Sequence, residues 1–167
     1  MLVYSRLESL IMIFAVGLAA SFRCSTPPEG QADRSPPAGT DSIPGWPRDV
    51  RKVEIISSYD STIQPALFWA PEQVNAPVPL LVTLHTWSGD YLQSSSLPCL
   101  EQARERGWVF IHPDFRGPNN NPQATGSLAA TSDILDAVAY AVAGSAVDTT
   151  RVYLVGTSGG GHMALLT

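Results

Sequence analysis

Three observations predict an α/β fold built on a doubly wound, mostly parallel sheet. Leu80–Leu84 and Trp108–Ile111 are short, nearly continuous apolar runs. Runs of that length read as strands covered on both faces. Helix-like segments alternate with them, which is the pattern of βαβ units. A third run, Val152–Val155, enters Gly156-Thr157-Ser158-Gly159-Gly160 and continues as His162-Met163-Ala164-Leu165-Leu166. That is a strand, a very tight turn and a helix.

The chain begins with residues that are set apart from this fold. Met1–Ser9 carries Arg6 offset by Glu8, Leu10–Ala20 is apolar, and Ala19-Ala20-Ser21 offers small residues at a cleavage point. The run is short for a membrane span, so residues 1–21 read as a secretory signal peptide. Phe22 and Arg23 precede Cys24 where a lipoprotein leader needs small residues. The expected location is therefore secreted or periplasmic, with membrane contact only through the leader during export. Residues 22–48 hold Pro27-Pro28, Pro36-Pro37, Pro44 and Pro47 among small polar residues. They read as an extended linker, and residues 49–167 as the folded domain.

Within that domain, Val50–Ser57 and Ile63–Ala70 read as an antiparallel pair at the sheet edge, with Pro65 marking the early part of the second as edge-like. Pro71–Pro79 connects to the central Leu80–Leu84 strand. Leu92–Arg106 is helix-like, interrupted near Pro98 and stopped by Gly107. Trp108–Ile111 follows, then an irregular loop through Pro122. Thr131 or Ser132 is the expected N-cap of a helix reaching Ala143, with Leu135, Val138 and Val142 on its apolar face and Asp133 at its start. Asp148–Thr150 turns the chain into the Arg151 strand.

Composition narrows the function. A chain of 167 residues has room for one domain, and 44% hydrophobic residues is ordinary for a globular one. A net charge of −5 argues against nucleic acid as a partner. Two cysteines, Cys24 and Cys99, form neither a disulfide framework nor a zinc pattern, leaving one pairing between them open. No metal or organic cofactor is implied. Gly159-Gly160-Gly161 lacks the layout of a dinucleotide site. The composition does not fix the oligomeric state.

Chemistry concentrates at the tight turn. G-x-S-x-G between a strand and a helix is the nucleophile elbow of the α/β-hydrolases. Such a turn strains the serine and pushes its hydroxyl into the open. Gly156 and Gly160, two before and two after Ser158, avoid Cβ clashes there. The backbone N–H of Gly159 would face a developing oxyanion near a helix N-terminus.

Four segments carry a wider resemblance. They are Leu84-His85-Thr86-Trp87, Pro113-Asp114-Phe115-Arg116-Gly117, Asp133–Val138 and Arg151–Gly161, in order across residues 50–167. The chain resembles the secreted bacterial prolyl oligopeptidase-like serine hydrolases of the α/β-hydrolase superfamily. The resemblance implies Ser158 as the nucleophile that forms an acyl-enzyme with a peptide or ester substrate. It implies the backbone N–H of Gly159 as one oxyanion donor and that of Thr86 or Trp87 as the other. Here His85-Thr86-Trp87 replaces the family's His-Gly-Gly. His85 and Trp87 are candidates for the substrate pocket, and a packing role for Trp87 fits equally.

In this fold the triad acid and histidine follow the serine, and residues 159–167 do not supply them. His85, His112 and His162 read as structural. Asp114 reads as a loop partner of Arg116, and Asp133 and Asp136 as helix charges. The expectation is thus an amino-terminal part of a larger hydrolase, truncated after the elbow and inactive alone. The leading reading is an exported serine peptidase. A secreted carboxylesterase of the feruloyl-esterase or polyester-depolymerase type is the nearest alternative. A non-catalytic binding protein on the same scaffold is the third, disfavoured because a strained serine turn costs stability without use.

Overall fold

The computed structural model describes residues 42–167. The leader, the larger part of the linker and Cys24 fall outside the described residues.

Five strands form one sheet: β1 (Arg51–Ile56), β2 (Ile63–Trp69), β3 (Val78–Leu84), β4 (Val109–Pro113) and β5 (Val147–Gly156). Their spatial order is β1-β2-β4-β3-β5. β1 and β2 form the expected antiparallel hairpin, and β2 also runs antiparallel to β4. β3 lies parallel between β4 and β5. The apolar runs dictate that arrangement, since Leu80–Leu84 and β4 are buried throughout. A strand covered on both faces must lie inside a sheet with helices above and below.

Two cores flank the sheet. On one face α2 (Leu128–Gly144) and α3 (Gly159–Leu166) cover Ala66, Phe68, Leu80, Val82, Leu84 and Ile111. On the other, α1 (Leu97–Arg106) sets Leu100 and Ala103 against Leu67, Leu81 and Phe110. Burying each large side chain contributes about 1.5–3 kcal/mol, so Phe68, Phe110, Leu100 and Ile134 are principal anchors.

Several elements depart from the sequence reading. Trp46, expected in the linker, is 6% exposed, packs in the α1-side core and donates its indole N–H to Leu92 O at 3.0 Å. A proline-rich composition hid one large aromatic anchor. β2 as a whole lies between β1 and β4, and its early part is edge-like as expected. Pro65 stands opposite Glu54, and β2 meets β4 only from Ala66 onward, so the missing N–H is harmless. Pro98 does not interrupt α1. It sits in the first turn, where no N–H is needed, after a single 3-10 turn at Ser94–Ser96. Gly107 caps the end at φ 64°, as expected of a left-handed glycine.

The largest difference is α2. It starts at Leu128, not beyond Thr131, and Ser127 is its N-cap, accepting from the Ala130 N–H at 3.0 Å. Its buried stripe is Ala130, Ile134, Ala137 and Ala141, while Leu135 is 51% exposed. Small side chains let the helix approach the sheet, so the core face is the less hydrophobic-looking one. Asp148–Thr150 lies within an irregular part of β5, where Asp148 Oδ1 accepts from the Thr150 N–H.

Candidate active site

The carboxyl ends of β3, β4 and β5 converge on Ser158. β5 delivers the chain to Gly156, and α3 leaves at Gly159. Ser158 has φ 55° and ψ −120°, a backbone conformation that costs a non-glycine residue about 1–3 kcal/mol. The residue is exposed, and its side chain caps nothing. The elbow packs so tightly that a Cβ on Gly156 would strike the Gly160 carbonyl group. A Cβ on Gly160 would strike the carbonyl oxygens of Leu84 and His85. Only glycine fits at either position.

Gly159 meets the loop after β3. A Cβ on Gly159 would stand 2.7 Å from Trp87 N and 2.8 Å from Trp87 Cα. Among the described residues neither Gly159 N–H nor Trp87 N–H donates to a protein acceptor. Thr86 differs: its N–H donates to Gln93 Oε1 at 2.8 Å, and its hydroxyl donates to the same oxygen at 2.9 Å. Of the two residues left open by the sequence, Trp87 holds the available N–H. Trp87 is 45% exposed. Gln93, which the sequence does not single out, takes up both Thr86 donors. A polar residue in a Ser/Leu-rich stretch carries no periodic signal that would single it out.

His85 does not face a pocket. It is fully buried, stacked on Phe115 with ring centroids 3.9 Å apart. Its Nε2 lies 2.6 Å from Asp114 O and its Nδ1 3.0 Å from Thr86 O. We assign the proton to Nε2, the shorter contact. The ring thus ties the loop after β3 to the loop after β4. This corrects its expected role as a substrate-pocket residue.

His112 is also fully buried. Its Nδ1 donates to Thr83 O at 2.7 Å, and burial pulls its pKa down to about 4. Neither ring can leave its position to reach Ser158. His162 is exposed on α3, and its ring lies toward Gly126.

The loop after β4 is held by one cation. Phe115, Arg116 and Gly117 take φ values of 39°, 80° and 72° in succession. Arg116 pays for that strain by pairing with Asp133 at 2.6 Å and Asp60 at 2.6 Å, and by donating to Ser57 Oγ at 2.9 Å. Asp133 is therefore a buried partner of Arg116, not a free helix-start charge. Asp136 accepts from the Ser58 N–H, and Asp114 accepts from the Tyr91 N–H at 3.1 Å instead of pairing with Arg116. Burial raises the Asp114 carboxyl pKa.

A cavity of about 50 Å³ beneath the elbow is lined by Thr86, Gln93, Cys99, Gly156 and Thr157 among others. It has room for a water or two and not for an acyl group. A larger cavity, about 220 Å³, lies by Val78, Val109 and Ser145 at the opposite end of the strands, away from Ser158.

Comparison with known proteins places this geometry. No family model and no curated protein matches the chain. Solved structures do. A hypothetical protein from Pseudomonas aeruginosa is 25% identical over 81% of this chain and 44% of its own, at a TM-score of 0.59. A bacterial heroin esterase is 25% identical over 69% of this chain and 37% of its own, at a TM-score of 0.55. An acylaminoacyl peptidase from Pyrococcus horikoshii, 18% identical at a TM-score of 0.51, shares the fold. The described residues have the α/β-hydrolase fold, and the neighbours named for an activity are hydrolases. The chain spans less than half the length of each of these structures.

Proposed function

We propose that this chain carries the nucleophile and oxyanion hole of an exported serine hydrolase that acts on carboxylic esters. The observation that supports it is the exposed, strained Ser158 beside two uncommitted backbone N–H groups, those of Gly159 and Trp87. Ser158 Oγ attacks the ester carbonyl, its proton passes to a general base, and the oxyanion is held by the two N–H groups. The alcohol leaves with a proton, giving the acyl-enzyme. Water then releases the acid by the same route in reverse.

The base and its acid are proposed to come from outside these 167 residues, since His85 and His112 are locked in the core and the ring of His162 lies toward Gly126. The ester reading draws on the 25% identity to the heroin esterase. A prolyl oligopeptidase-like peptidase is the second reading, favoured by Pro113–Gly117 and Arg151–Gly161. Export rests on the leader-like residues 1–21.

The test is turnover of p-nitrophenyl acetate and of a peptide anilide by the full-length gene product and by Ser158→Ala. Ester turnover lost in Ser158→Ala supports the ester reading, and anilide turnover lost in its place supports the peptidase. Unchanged turnover in Ser158→Ala, or none in the wild type, overturns the assignment.

A further inference from the structure

We propose that Gln93 is a positioning residue for the oxyanion hole, an inference that rests on the hydrolase reading above. Its side-chain oxygen does two things at once. It takes both Thr86 donors, the N–H at 2.8 Å and the hydroxyl at 2.9 Å. It also lies across Gly89, where any Cβ would collide with it. Gln93 Nε2 in turn donates to Ser95 Oγ, which fixes the orientation of the amide, and the Gln93 N–H donates to Asp90 O at 3.1 Å. The loop 86–93 is thereby closed on itself, with Gly89 N–H donating to Thr86 O at 3.0 Å across its neck.

The consequence concerns which amide faces the reacting carbonyl. Thr86 and Trp87 are adjacent at the start of the turn that the Gly89 N–H closes on Thr86 O, and of their two amides only that of Thr86 is taken up within the loop. With the Thr86 N–H drawn toward Gln93, the next amide is the one set against Gly159, and a Cβ on Gly159 would lie 2.7 Å from its nitrogen. Without the Gln93 oxygen, the Thr86 N–H is left unpartnered in a half-buried place, and the loop can turn to satisfy it. An oxyanion hole depends on donors that are already in place when charge develops. Gln93 therefore acts on the transition state and not on substrate binding.

The experiment compares wild type, Gln93→Met and Gln93→Glu in the full-length gene product on p-nitrophenyl acetate, with active sites counted by a phosphonate titrant. Methionine keeps the length of the side chain and removes the acceptor, whereas glutamate keeps the acceptor. The expected result is a fall in kcat of about ten- to a hundredfold in Gln93→Met at an unchanged KM, part of the loss that follows removal of an oxyanion donor. Inhibition by phenylboronic acid, whose adduct carries a tetrahedral anion, weakens by a similar factor. Gln93→Glu keeps a higher kcat than Gln93→Met despite its added charge. Should Gln93→Met fail to fold, Thr86→Val, which removes one of the two donors, gives a smaller loss of the same kind.

A Gln93→Met enzyme with wild-type kcat per titrated site overturns the proposal while leaving Ser158 as the nucleophile. So does one whose loss lies in Tm or active fraction alone. Absence of Ser158-dependent turnover overturns the hydrolase reading itself, and the role of Gln93 with it.

Discussion

Gly159 has no room for a side chain because the backbone of Trp87 lies against it, with Trp87 N 2.7 Å from where its Cβ would be. The contact joins the turn after β5 to the loop after β3, and it sets the spacing of two N–H groups. Gly159→Ala therefore pushes the two donors apart. The expected outcome is a kcat lower by about a hundredfold or more, on the scale of a lost oxyanion donor. Steady-state kinetics on titrated enzyme checks it, with near-UV circular dichroism to show that the fold persists.

The Trp87 indole and the Trp87 amide are separable. Trp87 is 45% exposed, so its ring is open to a substrate, while its amide is the proposed oxyanion donor. Trp87→Ala keeps the N–H. It is expected to raise KM severalfold for aryl esters and to leave kcat within about threefold, since uniform binding is what it removes. A kcat collapse in Trp87→Ala would show that the ring also shapes the loop.

Asp133 is fully buried, and Arg116 is nearly so. Removing one partner of a buried pair strands the other, at about 3–5 kcal/mol. Asp60 still faces Arg116, so Asp133→Ala is expected near the lower end, about 3 kcal/mol, in urea unfolding. The same change should release Phe115 from beneath His85 and lower kcat in parallel.

His112 makes stability depend on pH. Burial holds its folded pKa at about 4, below the roughly 6.5 of an unfolded chain. On acidification the unfolded chain binds the proton first. Stability therefore falls as pH drops from about 6.5 to about 4 and levels off below, by on the order of 3 kcal/mol in total. Asp114, whose pKa burial raises, works the other way at low pH. The contribution of His112 is thus read as the difference between wild type and His112→Gln. Urea midpoints from pH 4 to 7 should slope in the former and less in the latter.

Residues 1–167 expressed by themselves should not turn over p-nitrophenyl acetate in a Ser158-dependent way, because His85 and His112 are fixed in the core and the ring of His162 lies toward Gly126. A Ser158-dependent rate would point to His162 as the base.

The sheet was readable because burial on both faces demands nearly continuous apolar runs, and Leu80–Leu84, apolar but for Thr83, is one. The elbow was readable because the motif sits between a strand and a helix and Gly156 is required by Gly160, four residues on, although what requires Gly160, the carbonyls of Leu84 and His85, lies far away in sequence. What the sequence hid depends on distant partners. The Leu135–Val138–Val142 pattern caught only the margin of the buried face of α2, since Val138 packs against the core while Leu135 is exposed and the sheet selects alanines for close approach. Arg116 finds Asp60 and Asp133 at separations of 56 and 17 residues. Nothing near Arg116 announces either. The choice between Thr86 and Trp87 likewise waited on Gln93, a side chain whose only distinction is where its oxygen falls.

The strand order has a consequence for synthesis. Val82 in the central strand is bordered by Ile111 on one side and Leu154 on the other. A ribosome adding about 5–20 residues per second reaches Leu154 roughly 4–14 s after Val82. Through that interval the most apolar strand of the protein has one open flank. A nascent chain in that state presents an open apolar edge of the kind that a holding chaperone covers.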